Sequence, residues 1–215
     1  METRMKIFCD LDGTLIDVSA RHYKVYMDTI IECGGVPIAK DVYWDLKRKK
    51  TKWPVLLEMS GVSPDGERDF LDRFIVKIED PEYLRTDTIL PGVIKALDGL
   101  RMLGDCYLVT LRRNRQNVLW ELEYLGLTPH FTDVLTGHSE TDGYDVKIQL
   151  IGEKLGSDRG VMIGDTEADV IAGKQLGLQT FAVTSGIRDQ AFLVDLKPDY
   201  IVDGMTEVVA QLRGS

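Results

Sequence analysis

The stretch that decides the fold is DLDGTL at residues 10–15, which directly follows the apolar run MKIFC at residues 5–9. The apolar run predicts a buried parallel strand. Open α/β sheets bind their ligands beyond the carboxyl ends of the strands, so Asp10 and Asp12 stand where such a sheet would hold its site. Two carboxylates this close repel one another and persist only beside a cation, a shared proton or strong hydrogen-bond donors. The alternative is structural: a turn whose aspartates accept hydrogen bonds from backbone amides.

Composition narrows the class of protein. The chain has 215 residues, of which 44% are hydrophobic and 28% charged, as expected of an ordinary globular protein. A formal net charge of -9 argues against sequence-independent binding to nucleic acid or to an anionic membrane. Cys9, Cys33 and Cys106 are an odd number without CxxC spacing, so we expect reduced thiols and no zinc site. No apolar run reaches membrane-spanning length, and we expect a cytoplasmic monomer or homodimer.

From residue 90 onward, short apolar runs alternate with segments of helical periodicity. The runs predict strands at 106–110, 131–135, 160–164, 180–183 and 200–202. The periodic segments predict helices at 91–100, 117–125, 146–155 and 167–176. Repeated strand-then-helix units predict an α/β fold, with a Rossmann-like parallel sheet and helices on both faces.

Residues 19–85 break this alternation, since they contain apolar residues at helical spacing and no convincing strand. We therefore predict a core domain made of residues 1–18 and 86–215, and an inserted all-helical cap domain at 19–85. Because the insertion follows the first strand, we expect its helices to cover Asp10 and Asp12. A helical subdomain away from the site is the alternative.

Three further segments are predicted at the same edge of the sheet. Thr110 ends a strand, Lys147 lies in the helix before the fourth strand, and GDTEAD at residues 164–169 follows that strand. Each of these residues has a purely structural explanation when it is taken alone. A threonine at a strand end is usually structural, a helical lysine is usually solvated, and Asp165 or Asp169 could stabilise a helix N-terminus.

Together and in this order, the motifs DxDGT, strand-Thr, Lys and GDxxxD resemble the haloacid dehalogenase superfamily of phosphotransferases. The resemblance spans residues 5 to about 203 and is strongest to its phosphoglycolate phosphatase and β-phosphoglucomutase branch. The helical insertion after the first motif is similar to that superfamily's first type of cap. One departure is that Lys147 is followed by IQL, where many relatives carry prolines.

The resemblance implies a phosphatase that hydrolyses a small phosphorylated metabolite, either a phosphoglycolate-like compound or a sugar phosphate. Asp10 would attack phosphorus and form an aspartyl-phosphate. Asp12 would protonate the leaving oxygen and then deprotonate water. Thr110, Lys147 and the backbone amide of Leu111 would bind the phosphate oxygens.

The resemblance also implies a Mg²⁺ cofactor. Its ligands would be the carboxylates of Asp10 and Asp165 and the main-chain carbonyl of Asp12. Asp169 would either bind the ion through a water molecule or orient Lys147.

Two other functions stay open: a phosphosugar mutase that uses the same aspartyl-phosphate, and a non-catalytic binding protein that retains the fold. Asp12 favours phosphate-ester chemistry, because the superfamily's dehalogenases and phosphonate hydrolases lack an acid at that position. Arg112, Arg113 and Arg115 argue against a mutase, whose relatives tend to have small hydroxyl residues there. We expect one of these arginines to reach the phosphate or the cap.

The cap offers three candidate substrate-binding residues: His22, Lys47 and Arg48. The last two begin the basic run KRKKTK at residues 47–52, which would either bind a second anionic group of the substrate or form a solvated helix end. His22 would either contact the substrate or fill space in the first cap helix.

Overall fold

The computed structural model describes residues 4–138, 143–156 and 159–214. The chain divides into two compact units, one made of Met1–Asp17 and Thr88–Ser215 and the other of Val18–Asp87. The insertion predicted at 19–85 thus begins one residue later, and ends two residues earlier, than the second unit at 18–87.

The first unit is built on a parallel sheet of six strands, which confirms the predicted α/β fold. A separate antiparallel pair lies where the chain leaves and re-enters this unit. In chain order, the strands are β1 Met5–Cys9, β2 Ile16–Asp17, β3 Thr88–Ile89, β4 Gly104–Thr110, β5 Asp133–Thr136, β6 Gly160–Gly164, β7 Gln179–Val183 and β8 Tyr200–Val202. The sheet order is β5-β4-β1-β6-β7-β8, and β2 pairs with β3.

Helices cover the sheet of the first unit. They are α6 Val93–Leu103, α7 Arg115–Tyr124, α8 Tyr144–Leu155, α9 Glu167–Gln175, α10 Gln190–Asp195 and α11 Met205–Gly214. Phe8 of β1 and Met162 of β6 pack in one apolar cluster with Ile151 of α8 and Ala172 of α9. This cluster fixes α8 and α9, and with them the side chains at their N-terminal ends, against the strands.

Some element boundaries differ from those predicted. Helices α7 and α8 each begin two residues earlier than expected, and β5 begins two residues later. The later start follows from a 3₁₀ turn at Thr128–His130, which occupies the approach to the strand. The pair β2–β3 and the helices α10 and α11 were not predicted. Strands of two residues are too short to show a period of two.

The second unit is all-helical, as predicted. It contains α1 Ser19–Glu32, α2 Lys40–Arg48, α3 Trp53–Met59, α4 Glu67–Ile78 and α5 Pro81–Leu84, with a 3₁₀ turn at Pro64–Gly66. The rings of Tyr26 and Tyr43 stack at its centre with centroids 4.3 Å apart. The Tyr26 hydroxyl lies 2.6 Å from Ser60 Oγ, so its buried polar end has a partner.

A buried ion pair joins the two ends of the second unit. Arg21 Nε on α1 lies 3.1 Å from Asp87 Oδ2, and the two side chains are 1% and 0% exposed. Arg21 also donates from Nη1 to the Ile78 carbonyl at 3.2 Å. The residue that leaves the unit is therefore tied to the helix that opens it.

Among the helices of the described ranges, we find none with the length and apolar character needed to cross a membrane.

Candidate active site

The ends of three neighbouring strands bring the predicted acids together. Strand β1 lies between β4 and β6. Asp10, the residue directly after β1, donates its backbone N–H to the Ile163 carbonyl at 2.9 Å. Thr110 is the last residue of β4, and Asp165 directly follows β6. All three polar side chains are buried. Parallel strands that run side by side thus place residues far apart in sequence at one edge.

Lys147 joins this group from the side. It lies near the start of α8 and is buried, with Nζ 2.5 Å from Asp10 Oδ1 and in contact with Asp169 Oδ1. Asp169, in the first turn of α9, uses its other oxygen to accept from the backbone N–H and the hydroxyl of Thr166, at 3.0 and 2.8 Å. One side chain therefore both stabilises the start of α9 and aligns the lysine.

Asp165 is held by donors and enclosed by glycines. Its Oδ1 accepts from the Thr14 hydroxyl at 3.1 Å, and its Oδ2 accepts from the Ile187 backbone N–H at 2.5 Å. A Cβ atom on either Gly13 or Gly186 would overlap the Asp165 carboxylate. Gly13 also has φ +82°, a conformation that side chains with a Cβ rarely adopt. The glycine of DLDGTL is thus required by both the turn and the close approach.

The charges of this centre fit a divalent cation. Asp10, Asp165 and Asp169 each present one carboxylate oxygen, and these oxygens lie within 4.8 Å of one another. With Lys147 as the adjoining cation, three ionised carboxylates would leave a net charge of about −2 in a buried site. Hard oxygen donors with this charge suit Mg²⁺. The Asp12 carboxylate is not part of this cluster, which leaves its main-chain carbonyl as the predicted ligand.

The protein environment shifts the pKa values of the group. Burial raises the pKa of Asp10 to about 7, against the lowering effect of the Lys147 charge. Burial, followed by repulsion from Asp10 and Asp169, raises the pKa of Asp165 well above its usual range. Burial alone would lower the pKa of Lys147, but the charges of Asp10 and Asp169 outweigh it and raise that pKa. The carboxylates are therefore costly to ionise together unless a cation joins them.

Asp12 is held by an arginine whose role we did not predict. Arg112 donates from Nε to Asp12 Oδ2 at 2.5 Å and from Nη2 to Asp12 Oδ1 at 2.6 Å. Behind it, the buried Glu121 of α7 places Oε2 3.3 Å from the same Nη2. The sequence showed three arginines after Thr110. The structure buries Arg112 and leaves Arg113 exposed.

A second unpredicted ion pair anchors the loop that follows β7. Arg188 donates to both carboxylate oxygens of Glu167, from Nε at 2.8 Å and from Nη2 at 3.0 Å. Glu167 lies in the first turn of α9, two residues after Asp165. The pair therefore fixes the loop that supplies Gly186 and the Ile187 amide to Asp165. The acid inside GDTEAD was visible in the sequence, but its partner was not.

The predicted substrate-binding residues of the insertion lie in the second unit. The His22 ring is half-buried, with its centroid 6.2 Å from those of Trp44 and Phe74. Lys47 Nζ lies 6.0 Å from the ring centroid of Trp53, and Arg48 is the last residue of α2. Contact of these three residues with substrate stays a prediction, as does the contribution of the Leu111 amide.

The fold and the acidic centre define an α/β protein with a buried cluster of aspartates and a lysine at the carboxyl edge of its parallel sheet. Comparison with known proteins identifies the family. A family model described as "haloacid dehalogenase-like hydrolase" matches residues 7–177. The chain therefore belongs to the haloacid dehalogenase-like hydrolases. This confirms the family and the enzyme class predicted from the sequence.

Curated relatives match over nearly the full chain. The phosphoglycolate phosphatase of Agrobacterium fabrum is 29% identical over 214 residues, which cover 94% of this chain and 90% of that protein. The pyrophosphatase PpaX of Oceanobacillus iheyensis is 24% identical and covers 94% of each chain. A solved haloacid dehalogenase-like hydrolase from Streptococcus pneumoniae superposes with a TM-score of 0.76 at 25% identity, covering 99% of this chain and 100% of its own.

Proposed function

We propose that the chain is a Mg²⁺-dependent phosphatase that hydrolyses a small phosphomonoester through an aspartyl-phosphate on Asp10. The observation that supports this most strongly is the contact between Asp10 Oδ1 and Lys147 Nζ at 2.5 Å, inside a cluster that includes Asp165 and Asp169. A lysine that neutralises the nucleophile lets an anionic phosphate approach a carboxylate.

The reaction divides between two aspartates. Asp10 attacks phosphorus, and the bond to the leaving oxygen breaks as Asp12 gives that oxygen a proton. In the second half, Asp12 takes a proton from water, which attacks the aspartyl-phosphate and releases inorganic phosphate. Thr110, Lys147 and the backbone amide of Leu111 hold the phosphoryl oxygens in both halves.

We propose that the metal ion is held by Asp10, Asp165 and the main-chain carbonyl of Asp12, with Asp169 as a ligand through water or as the support of Lys147. Bound there, Mg²⁺ would neutralise charge on the phosphoryl oxygens. Gly13 and Gly186 leave room for the Asp165 carboxylate, which accepts hydrogen bonds from the Thr14 hydroxyl and the Ile187 amide.

The substrate we favour is a phosphoglycolate-like compound or a sugar phosphate. The relatives named phosphoglycolate phosphatase support the first choice, and those named pyrophosphatase PpaX make pyrophosphate the compound to compare. We propose that His22, Lys47 and Arg48 recognise the part of the substrate beyond the phosphate. Three free cysteines are compatible with a cytoplasmic enzyme, which we take to act as a monomer or homodimer.

The test is phosphate release, with Mg²⁺ present, from a panel that contains 2-phosphoglycolate, several sugar phosphates, pyrophosphate and an aryl phosphate. We expect release from phosphomonoesters that depends on Mg²⁺ and on Asp10. Conversion of β-glucose 1-phosphate to an isomer without net release would favour the mutase instead. Binding of these compounds with neither release nor isomerisation would favour a binding protein.

A further inference from the structure

Arg112 holds Asp12 in a geometry that fixes a carboxylate in both position and rotation. Its Nε and Nη2 donate to the two different oxygens of Asp12, at 2.5 and 2.6 Å. Two parallel hydrogen bonds from one guanidinium are directional in a way that a single ammonium contact is not. The Arg112 side chain is 6% exposed and that of Asp12 is 19% exposed. The arginine is therefore enclosed, while the carboxylate stays open to a ligand.

Glu121 holds the arginine in turn. Its side chain is fully buried on α7, and Oε2 lies 3.3 Å from Arg112 Nη2. A buried ion pair gives little net stability, because desolvation offsets most of the attraction between the charges. Glu121, Arg112 and Asp12 form a chain of three charged side chains. We attribute this chain to the orientation of the Asp12 carboxylate, since it adds little to the stability of the fold.

We propose that Arg112 is a positioning residue that sets the orientation of Asp12 for proton transfer in both half-reactions, with Glu121 fixing Arg112. The inference rests on the proposed function, in which Asp12 gives its proton to the leaving oxygen and regains one from water. Proton transfer needs donor and acceptor atoms about 2.6–3.2 Å apart. A rotation of the carboxylate by one rotamer would take it out of that range. Arg112 itself keeps its protons throughout.

The neighbouring arginines provide a natural comparison. Arg113 is exposed, and Arg115 donates to the carbonyl of Val134. Arg113→Gln therefore removes a positive charge one residue away and leaves the Arg112 side chain unchanged. It is the matched control for long-range electrostatic effects on an anionic substrate.

The experiment compares Arg112→Gln with Arg112→Lys and Arg113→Gln on a series of aryl and alkyl monophosphates whose leaving groups differ in basicity. We expect Arg112→Gln to lower kcat about 10- to 100-fold on the alkyl esters, with KM changed by less than about threefold. Single-turnover rates should fall more steeply with leaving-group basicity than in the wild type, because a basic leaving oxygen needs the proton most. Arg112→Lys should recover part of the loss.

A second readout addresses the water-activating half-reaction. With nitrophenyl phosphate, whose leaving group needs little help, Arg112→Gln should release a rapid burst of nitrophenol. The aspartyl-phosphate should then accumulate and be trapped by acid quench. Mg²⁺ affinity, measured by calorimetry, should equal that of the wild type. If Arg112→Gln fails to fold because Glu121 is left without its partner, the double variant Arg112→Gln/Glu121→Gln takes its place.

Three results would overturn the inference. A rise in KM with kcat intact would make Arg112 a substrate-binding residue. Equal losses on every leaving group, together with weaker Mg²⁺ binding, would make its role structural. A loss no larger than that of Arg113→Gln would leave it without a specific role. If the wild type releases no phosphate from the whole series, the proposed function fails and the inference fails with it. Variants that match an active wild type defeat the inference alone.

Discussion

Lys147 Nζ lies 2.5 Å from Asp10 Oδ1, although the two residues are 137 positions apart in the chain. The contact brings the start of α8 to the end of β1, and the same ammonium also contacts Asp169. A carboxylate that is paired in this way has one oxygen fixed.

Asp10→Asn should leave the protein folded and lower turnover by several orders of magnitude, since an amide is a far poorer nucleophile than a carboxylate. Mass spectrometry of the wild type, quenched in acid during turnover, should find the phosphoryl group on Asp10. Circular dichroism provides the control for folding. Substantial turnover by the folded variant would contradict the covalent mechanism.

Removal of the metal ion should abolish activity, and Mg²⁺ should restore it. Ca²⁺ should not, because its larger and looser coordination shell misplaces the nucleophile and the phosphate. Asp165→Ala should weaken Mg²⁺ binding more than Asp169→Ala, since we assign Asp165 as a direct ligand. Calorimetric titration of the two variants measures this order directly. Full activity after exhaustive chelation, verified by metal analysis, would exclude the role.

Stability without metal should fall as the pH rises from about 4 to about 7. The pKa of Asp10 is about 7 in the folded protein, against about 4 in an unfolded chain. The folded state therefore binds the proton more tightly. Protonated Asp10 therefore contributes as much as about 4 kcal/mol to the free energy of unfolding. This contribution is complete below about pH 4 and is lost as the pH passes about 7.

Thermal melts in chelator across this pH range measure that loss. Asp10→Asn should reduce the slope, and the remainder is assigned to Asp165, whose pKa burial also raises. Asp41→Asn, at an exposed position, is the matched control. Mg²⁺ competes with protons for the same carboxylates, so it should raise the Tm more at pH 8 than at pH 5. A Mg²⁺ effect that is independent of pH would argue against binding at these acids.

The basic run of the helical unit gives a test of substrate recognition. If Lys47 and Arg48 bind a second anionic group, then Lys47→Gln or Arg48→Gln should lower kcat/KM about ten- to a hundredfold on a substrate that carries such a group in addition to its phosphate. The rate on an aryl phosphate whose aryl group is uncharged should barely change. Lys40→Gln, at the exposed start of the same helix and outside the basic run, provides the control. Small losses that are alike on both substrates and vanish with salt would leave the run as a solvated helix end.

Asp87→Asn should destabilise the protein strongly, because it removes the carboxylate that pairs with the buried Arg21 charge. Loss of one partner of such a pair costs about 3–5 kcal/mol. Asp45→Asn, which breaks the exposed pair of Asp45 with Lys49 at 2.7 Å, should cost no more than about 1 kcal/mol. Urea denaturation of the two variants provides the comparison. Equal losses would show that burial of the Arg21–Asp87 pair is not decisive.

The sequence was sufficient for residues whose position follows from a strand end. Asp10, Thr110 and Asp165 are each fixed by an apolar run that precedes them, and the order of the parallel strands brings them together. Lys147 is different, because nothing in its own helix marks it as buried. It was identified through the order of the motifs, and the structure places it against Asp10.

The missed contacts are those that depend on packing between distant segments. Arg112 and Asp12 are 100 positions apart, and the local sequence does not show which of three nearby arginines turns inward. The contact from Ile187 to Asp165 is made by a backbone N–H, which carries no residue-type signal. From the sequence alone, Glu121 cannot be distinguished from a solvent-exposed acid on a helix. The structure shows that its side chain is fully buried.

Asp169 makes two separate sets of contacts, and this limits what an aspartate at the same position of a homologue indicates about activity. One of its oxygens accepts from Thr166 at the start of α9, and the other contacts Lys147. A descendant that had lost its chemistry would still be selected to keep an aspartate there for the helix. Lys147, buried between two carboxylates, balances their charge and would be retained for as long as they are. In surveys of uncharacterised homologues, Asp169 alone is therefore a poor marker of an active enzyme.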